Sequence, residues 1–365
     1  MSDPAAALSR VFGPAPLSPD LFTPAFRAAA PPDQVALLVA GLIQAHGRFT
    51  GVTAGASVVI VHLANADVPA DIALDAAGRI AGLRLRAAEP TGGTLQDYVH
   101  AVAALPGRTA VLVTTDGRRR GEHRADEPLA VGSAFKLAIL RAVALAVDGG
   151  VLAWDQVVPL DPARRSLPSG ILQDWPEDAP VTLATLANLM ISVSDNTAAD
   201  ALIHVVGRNA VETVSPRNAP FPTTREAFIA KADPALRTEW QSASPAGRRT
   251  LLDRIAALPL PMSGLETVTA GVEWYATAAE LCVLLDATCH LPPFRISPGP
   301  VRPEPWSLVA YKGGAEPGVL NLSALMVSPA GIKHCVVATW NDDAPLKAER
   351  LMGPFQGLLH GLQAD

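Results

Sequence analysis

The chain has 365 residues, 49% of them apolar and 18% charged, with a formal net charge of −6 at pH 7. That length suits two folded domains with a large apolar core, and the excess of acid argues against a nucleic-acid partner. The opening Met-Ser-Asp-Pro-Ala-Ala-Ala-Leu-Ser-Arg lacks a basic run leading into an apolar one, and no run of membrane-spanning length follows, so neither a signal peptide nor a membrane segment is expected.

Residues 1–18 are rich in proline and alanine and are expected to form an extended lead. Residues 19–88 read as a small α+β domain. Pro19–Ala29 and Pro32–His46 look helical, the second with Val35, Leu38, Val39, Leu42 and Ile43 at helical spacing. Three β-like runs follow, Ala56–Leu63, Val68–Leu74 and Arg79–Arg86, the last two joined by an Asp75-Ala-Ala-Gly78 turn. No set of acids or histidines here suggests independent catalysis. Asp71 and Asp75 read as solvated, and the domain as a docking or structural element. Residues 89–93, Glu-Pro-Thr-Gly-Gly, read as a linker, and residues 94–365 as the larger domain. That domain opens with a helix, Leu95–Leu105, and a hairpin of Thr109–Thr115 and Arg118–His123 around Asp116-Gly117.

Chemistry concentrates in three later strings. Ser133-Ala-Phe-Lys136 begins an Ala/Leu-rich helical stretch that stops at Gly149-Gly150, and Gly132 permits a sharp turn into it. A serine at a helix start meets backbone N–H groups and the positive end of the macrodipole, and Lys136, three residues on, shares its face. Ser133 is the only serine with a lysine at that spacing, and two of the chain's five lysines fall in these strings. Ser194-Asp195-Asn196 fills the gap between a helix capped by Thr182 and another, Thr197–Val206, that ends at Gly207. A hydroxyl on such a corner can relay a proton, and the Asn196 amide can bond a substrate carbonyl and a lysine. Lys312-Gly313-Gly314 ends a β-like run from Trp306, with two further strands, Val319–Val327 and Ile332–Trp340, after it. The glycines leave room for a substrate along the strand edge. Taken singly, each string has a plainer reading: an N-cap serine, a capped helix–helix connection, a glycine bulge beside a lysine.

Cys282, Cys289 and Cys335 cannot all pair; Cys282 and Cys289 read as core residues in a helical run. His334 and Cys335 alternate to opposite faces of a strand, which weakens a thiol mechanism. The histidines lack metal-ligand spacing, so neither a metal nor another cofactor is expected.

With these strings in this order, Ser194 61 positions after Ser133 and Lys312 118 after Ser194, the chain resembles the class A β-lactamases and related penicillin-binding serine hydrolases from about Thr94 onward. The Ser194-Asp-Asn-Thr-Ala-Ala199 context, the leucine-rich helix before it and Gly207 after it are similar too. The resemblance implies an α+β architecture: a β-lactamase-like α/β sandwich, its antiparallel sheet flanked by helices, plus an all-α lobe, preceded by the small α+β domain. It also implies Ser133 as acylated nucleophile, Lys136 as its base, Ser194 as proton shuttle, Lys312 as electrostatic anchor and Asn196 as substrate ligand. Gly313 and Gly314 would line the substrate edge, and the N–H groups of Ser133 and Ala315 would form an oxyanion hole. The partner is then a small molecule, a β-lactam or related ester or amide; the oligomeric state stays open. As written the chain reads as cytoplasmic, and as periplasmic or extracellular if the true start lies upstream.

Two features depart from the family. Its Lys-Thr-Gly is Lys312-Gly313-Gly314 here, followed by Ala315 and Glu316, so a hydroxyl that would bind a carboxylate is missing. Its deacylating Glu-x-x-x-Asn does not occur between the second and third strings. Glu226 is the nearest acid, and it reads as an ordinary residue near a helix start capped by Thr223 or Thr224. The departures, with Thr223-Thr-Arg-Glu226 and Tyr311-Lys-Gly-Gly-Ala-Glu-Pro-Gly318, are similar to a divergent branch, the cephalosporin-esterase-type proteins of actinobacterial clavam clusters. Members of that branch carry a small cystatin-like or steroid-isomerase-like N-terminal domain. A D-Ala-D-Ala peptidase or transpeptidase and a non-catalytic binding or sensing module are the alternatives.

Overall fold

A computed structural model of the protein describes residues 3–55, 58–86, 88–262 and 271–363. Residues 1 and 2 of the expected lead, 56 and 57 of the first β-like run, and 263–270 of the larger domain lie outside them. The chain divides into two compact units, Met1–Tyr98 with Glu349–Asp365, and Val99–Ala348.

The first unit begins with a correction. Pro4–Phe12, expected to be extended, is helix α1. Asp3 caps it through its side chain, Pro4 sits in the first turn where its missing N–H costs nothing, and Ala7, Leu8, Val11 and Phe12 bury one face. Helices α2 (Pro24–Ala29) and α3 (Pro32–His46) follow. The sheet is antiparallel and runs β1 (Phe49–Ala54), β2 (Val59–Leu63), β3 (Ala66–Leu74), β4 (Ile80–Leu85). Strand β1 was not expected from the sequence. Glu89 and Pro90, expected in a linker, pair with Asp67 and Ala66 as β5. Across this sheet His62 Nδ1 lies 2.6 Å from Asp67 Oδ1, and its Nε2 2.8 Å from Thr53 Oγ1. That acid–histidine–hydroxyl row was invisible in the sequence, where no such set was found. The C-terminal helix (Glu349–Gln363), which lies within the residues 94–365 assigned from sequence to the larger domain, groups with this unit.

In the larger unit, reached through helix α4 (Leu95–Ala103), the hairpin β6 (Arg108–Thr115) and β7 (Arg118–His123) forms around Asp116 and Gly117. Both turn residues have positive φ, as a two-residue hairpin turn requires. Short β8 (Leu129–Ala130) leads to α5 (Lys136–Asp148). The helical lobe continues past the small ladder β9 (Val157–Pro159) and β10 (Pro180–Thr182) through α6 (Leu183–Ser192), α7 (Asn196–Val206) and α8 (Arg208–Val214). It then runs through α9 (Thr224–Ala232), α10 (Pro234–Ser242) and α11 (Pro245–Ile255). After β11 (Tyr275–Ala276) and α12 (Ala278–Thr288), the chain returns to the sheet as β12 (Leu308–Tyr311), β13 (Gly314–Glu316), β14 (Val319–Val327) and β15 (Lys333–Asn341). The sheet order is β12-β14-β15-β6-β7, with β13 also on β14, so first and last strands meet at β6 and β15.

Cys282 on α12 is disulfide-bonded to Cys335 on β15, which corrects the reading of Cys282 as a plain core residue; Cys289 is free and buried. Cys335 lies 53 residues downstream, a separation that spacing alone cannot interpret. No helix among the described residues is long and apolar enough to cross a membrane.

Candidate active site

Ser133 stands in a 3-10 turn, Gly132–Phe135, that runs straight into α5. Two glycines bring this turn against β13. Gly132 has φ +48°, and a Cβ there would lie 3.2 Å from the Ala315 nitrogen. A Cβ on Gly314 would lie 2.1 Å from the Val131 oxygen and 2.4 Å from the Ser133 nitrogen, so Gly314 tolerates no side chain and one at Gly132 would be strained. The backbones bearing the Ser133 and Ala315 N–H groups therefore touch. Phe135 fixes the turn from behind, stacked on Trp274 at 3.9 Å between ring centroids.

Lys136 is fully buried and sits among oxygen atoms. Its Nζ lies 3.3 Å from Ser133 Oγ, 3.1 Å from Ser194 Oγ, 2.6 Å from Asn196 Oδ1 and 2.5 Å from the Ser194 carbonyl. Burial, helped by the nearby Lys312 charge, pushes its pKa well below the usual lysine range; Asp200 and Asp195 pull weakly the other way. A neutral amine in that position can accept a proton from either hydroxyl.

Ser194 occupies the α6–α7 corner with φ +58°, a left-handed conformation uncommon for a serine. Ser169 Oγ donates to its carbonyl at 2.6 Å. Asp195, buried, accepts from the N–H groups of Ile171, Leu172 and Ala198, pinning the 166–172 loop to the start of α7. It is architectural. Asn196 Nδ2 donates to the Leu167 carbonyl at 3.0 Å, leaving its oxygen for Lys136. Lys312 Nζ completes the cluster, donating to Ser194 Oγ at 3.1 Å and to the Gly313 carbonyl at 2.7 Å. Burial alone brings its pKa down to about 7.

Ser133 opens onto two cavities. One, about 400 Å³, is lined by Ser194, Ser297, Tyr311, Lys312 and Gly313. The other, about 290 Å³, is lined by Asn196, Thr224, Phe228, Lys231, Trp274 and Glu316. A larger cavity of about 530 Å³ lies at the disulfide, with none of the three strings in its walls, so chemistry rather than size selects the site.

Glu226 does not reach Ser133's cavities. It is the third residue of α9, forms a capping box with Thr223, and takes a bidentate bond from Arg208, 2.7 and 3.1 Å. This agrees with its sequence reading as a helix-start residue.

Several neighbours escaped the sequence. Asp200, one turn beyond Asn196, accepts the N–H groups of Thr224 and Arg225 at 2.6 and 2.8 Å and so ties the start of α9 to α7. Burial raises its pKa to about 7, against the pull of those bonds. Lys231 of α9, itself buried, forms ion pairs with Glu273, 2.7 Å away, and with the partly exposed Glu316 on β13. Helical spacing from Asn196 was a usable signal for Asp200; nothing in the sequence links Lys231 to Glu273 or Glu316.

Residues 94–257 match the model of the beta-lactamase enzyme family. This part of the chain is β-lactamase-like. The match holds the first two strings, and Lys312-Gly313-Gly314 lies beyond it. The β-lactamase-like fold is shared with a beta-lactamase from Sphaerobacter thermophilus at 23% identity and TM-score 0.52, covering 73% of this chain and 94% of that one. It is shared also with an ancestral class A beta-lactamase, reconstructed for the last common ancestor of Gram-negative bacteria, at 18% identity and TM-score 0.52, covering 74% and 100%. A beta lactamase from Xanthomonas campestris gives 16% and 0.50, covering 73% and 95%. At these identities the likeness is one of fold. No curated protein sequence matches the chain.

Proposed function

We propose that the protein is a serine hydrolase acylated at Ser133 by a β-lactam or a related ester or amide, and that it releases the acyl group slowly. The observation that carries this reading is the buried Lys136 amine within hydrogen-bond reach of both Ser133 Oγ and Ser194 Oγ. Neutral Lys136 takes the Ser133 proton as Oγ attacks the carbonyl carbon. The oxyanion goes to the N–H groups of Ser133 and Ala315; losing one such donor costs about 3 kcal/mol in other hydrolases. Ser194 passes its proton to the departing nitrogen or oxygen and recovers one from its lysine neighbours. Asn196 orients Lys136 and the acyl carbonyl, Lys312 attracts an anionic leaving-group end, and Gly313 and Gly314 keep the strand edge open.

Slow release follows from Glu226. Its carboxylate is committed to Arg208 and Thr223, so it does not activate water at the acyl carbon. The same commitment favours a second reading, a penicillin-binding acceptor of the D-Ala-D-Ala peptidase kind whose acyl adduct persists. Intact mass spectrometry over time, with a penicillin, a cephalosporin and an activated ester, tests both. A mass increase on wild type, absent from Ser133→Ala, is expected; its decay over minutes supports the hydrolase and its persistence over hours the acceptor. No adduct with any of the three sinks both.

A further inference from the structure

We infer that Tyr311 supplies the hydroxyl that holds the anionic end of the substrate beside Lys312, making it a specificity-determining residue for carboxylate-bearing acyl donors. This builds on the assignment of Ser133 as the acylated group.

Tyr311 ends β12, two residues before Gly313. Residue 313 is glycine, and the tyrosine uses the space. A Cβ built on Gly313 would lie 2.3 Å from the phenol oxygen and 3.0 Å from the ring carbon bearing it. The hydroxyl is therefore lodged where a side chain at 313 would begin. Gly299 makes room for the rest of the ring: with φ +61°, its Cβ would fall 2.1 Å from Cδ1. Two glycines from separate segments thus accommodate one phenol in the wall of the 400 Å³ cavity that holds Ser133, Ser194 and Lys312.

The charge in that cavity calls for an anion. Lys312 is buried, and among the described residues it forms no ion pair; its bonds run to Ser194 Oγ and the Gly313 carbonyl. An ammonium has three N–H groups, so one remains for a ligand. A buried cation without a counter-ion is costly, and an incoming carboxylate relieves that cost. Burial also holds the Tyr311 phenol in its protonated, donating form, its pKa raised. Lys312 N–H and Tyr311 O–H then grip the carboxylate while Ser133 attacks at the other end.

Equilibrium binding to Ser133→Ala, which cannot be acylated, tests the inference apart from catalysis. The probes are benzylpenicillin and its methyl ester, measured by calorimetry. The Ser133→Ala protein is expected to prefer the acid over the ester by about tenfold or more, since a hydrogen bond to a charged group is worth roughly that factor. Adding Tyr311→Phe should remove most of the preference and leave ester binding within about twofold. An unchanged acid preference in the Tyr311→Phe protein overturns the inference, as does equal loss for both probes or no binding of either. Acylation of wild type, followed by mass, reports separately on Ser133.

Discussion

Two buried lysines, Lys136 and Lys312, set the pH behaviour. Acylation requires neutral Lys136, so its rate should climb as pH rises through that lysine's lowered pKa. Retention of a carboxylate requires protonated Lys312, so affinity for an acidic probe should fall as pH rises past about 7. The groups facing Lys312 are Lys136, Ser194 and the Tyr311 phenol, and none of them supplies a counter-charge. The same burial has a stability sign. Between about 7 and 10.5 the unfolded chain holds a proton on Lys312 that the fold has shed, so stability rises with pH across that window. Urea unfolding at pH 7.5 and 9.5, within that window, should show a higher midpoint at the upper value, and Lys312→Met should reduce the difference to what Lys136 supplies. Equal slopes in the two proteins would refute this. Lys136→Met should cut acylation by about 10²–10⁴-fold and also lower unfolding stability, because the buried Asn196 Oδ1 and the Ser194 carbonyl lose their donor.

Elements are held together here by side chains far apart in sequence. Lys231 joins α9 to β13, and removing it leaves the buried Glu273 carboxylate and the partly exposed Glu316 without their cation. Lys231→Met should cost about 3–5 kcal/mol by urea unfolding, with the acylation rate falling too, since β13 carries Ala315. A cost below about 1 kcal/mol would show the cluster to be solvated. The Cys282–Cys335 bond closes a 53-residue separation, for which chain entropy gives about 4 kcal/mol, so dithiothreitol should lower the melting temperature measurably. Much at this scale was legible in sequence. The β6–β7 hairpin announced itself through Asp116-Gly117, and α6 through Thr182. The three strings were readable because serine–lysine spacing on a helix is local chemistry. What stayed hidden was long-range or masked by composition. Proline and alanine disguised α1, although Asp3-Pro4 and the spacing of Leu8, Val11 and Phe12 marked it. Tyr311 could not be read, because Gly299 and Gly313 surround it only in the fold.

At the scale of the molecule, the larger unit is closed by its ends. β6, the first strand of its sheet, lies between β7 and β15, the last strand, while the helical lobe is inserted between them. Ser133 and Ser194 come from the insertion and Lys312 from the returning strands, so the site exists only once both have assembled. Native-state hydrogen exchange should be slowest in β6, β14 and β15, which each pair on both sides. Faster exchange there than in α10 or α11 would contradict that order of stability.

The backward-bent peptide at Ser194 bears on how its hydroxyl is probed. Alanine removes the oxygen but keeps a methyl group in a torsional well that disfavours it by about 1–2 kcal/mol, whereas glycine is at ease there. Of the two replacements, glycine should give the more heat-resistant protein. The gap between their melting points measures the torsional strain of that corner, and the activity they both lose measures the proton relay.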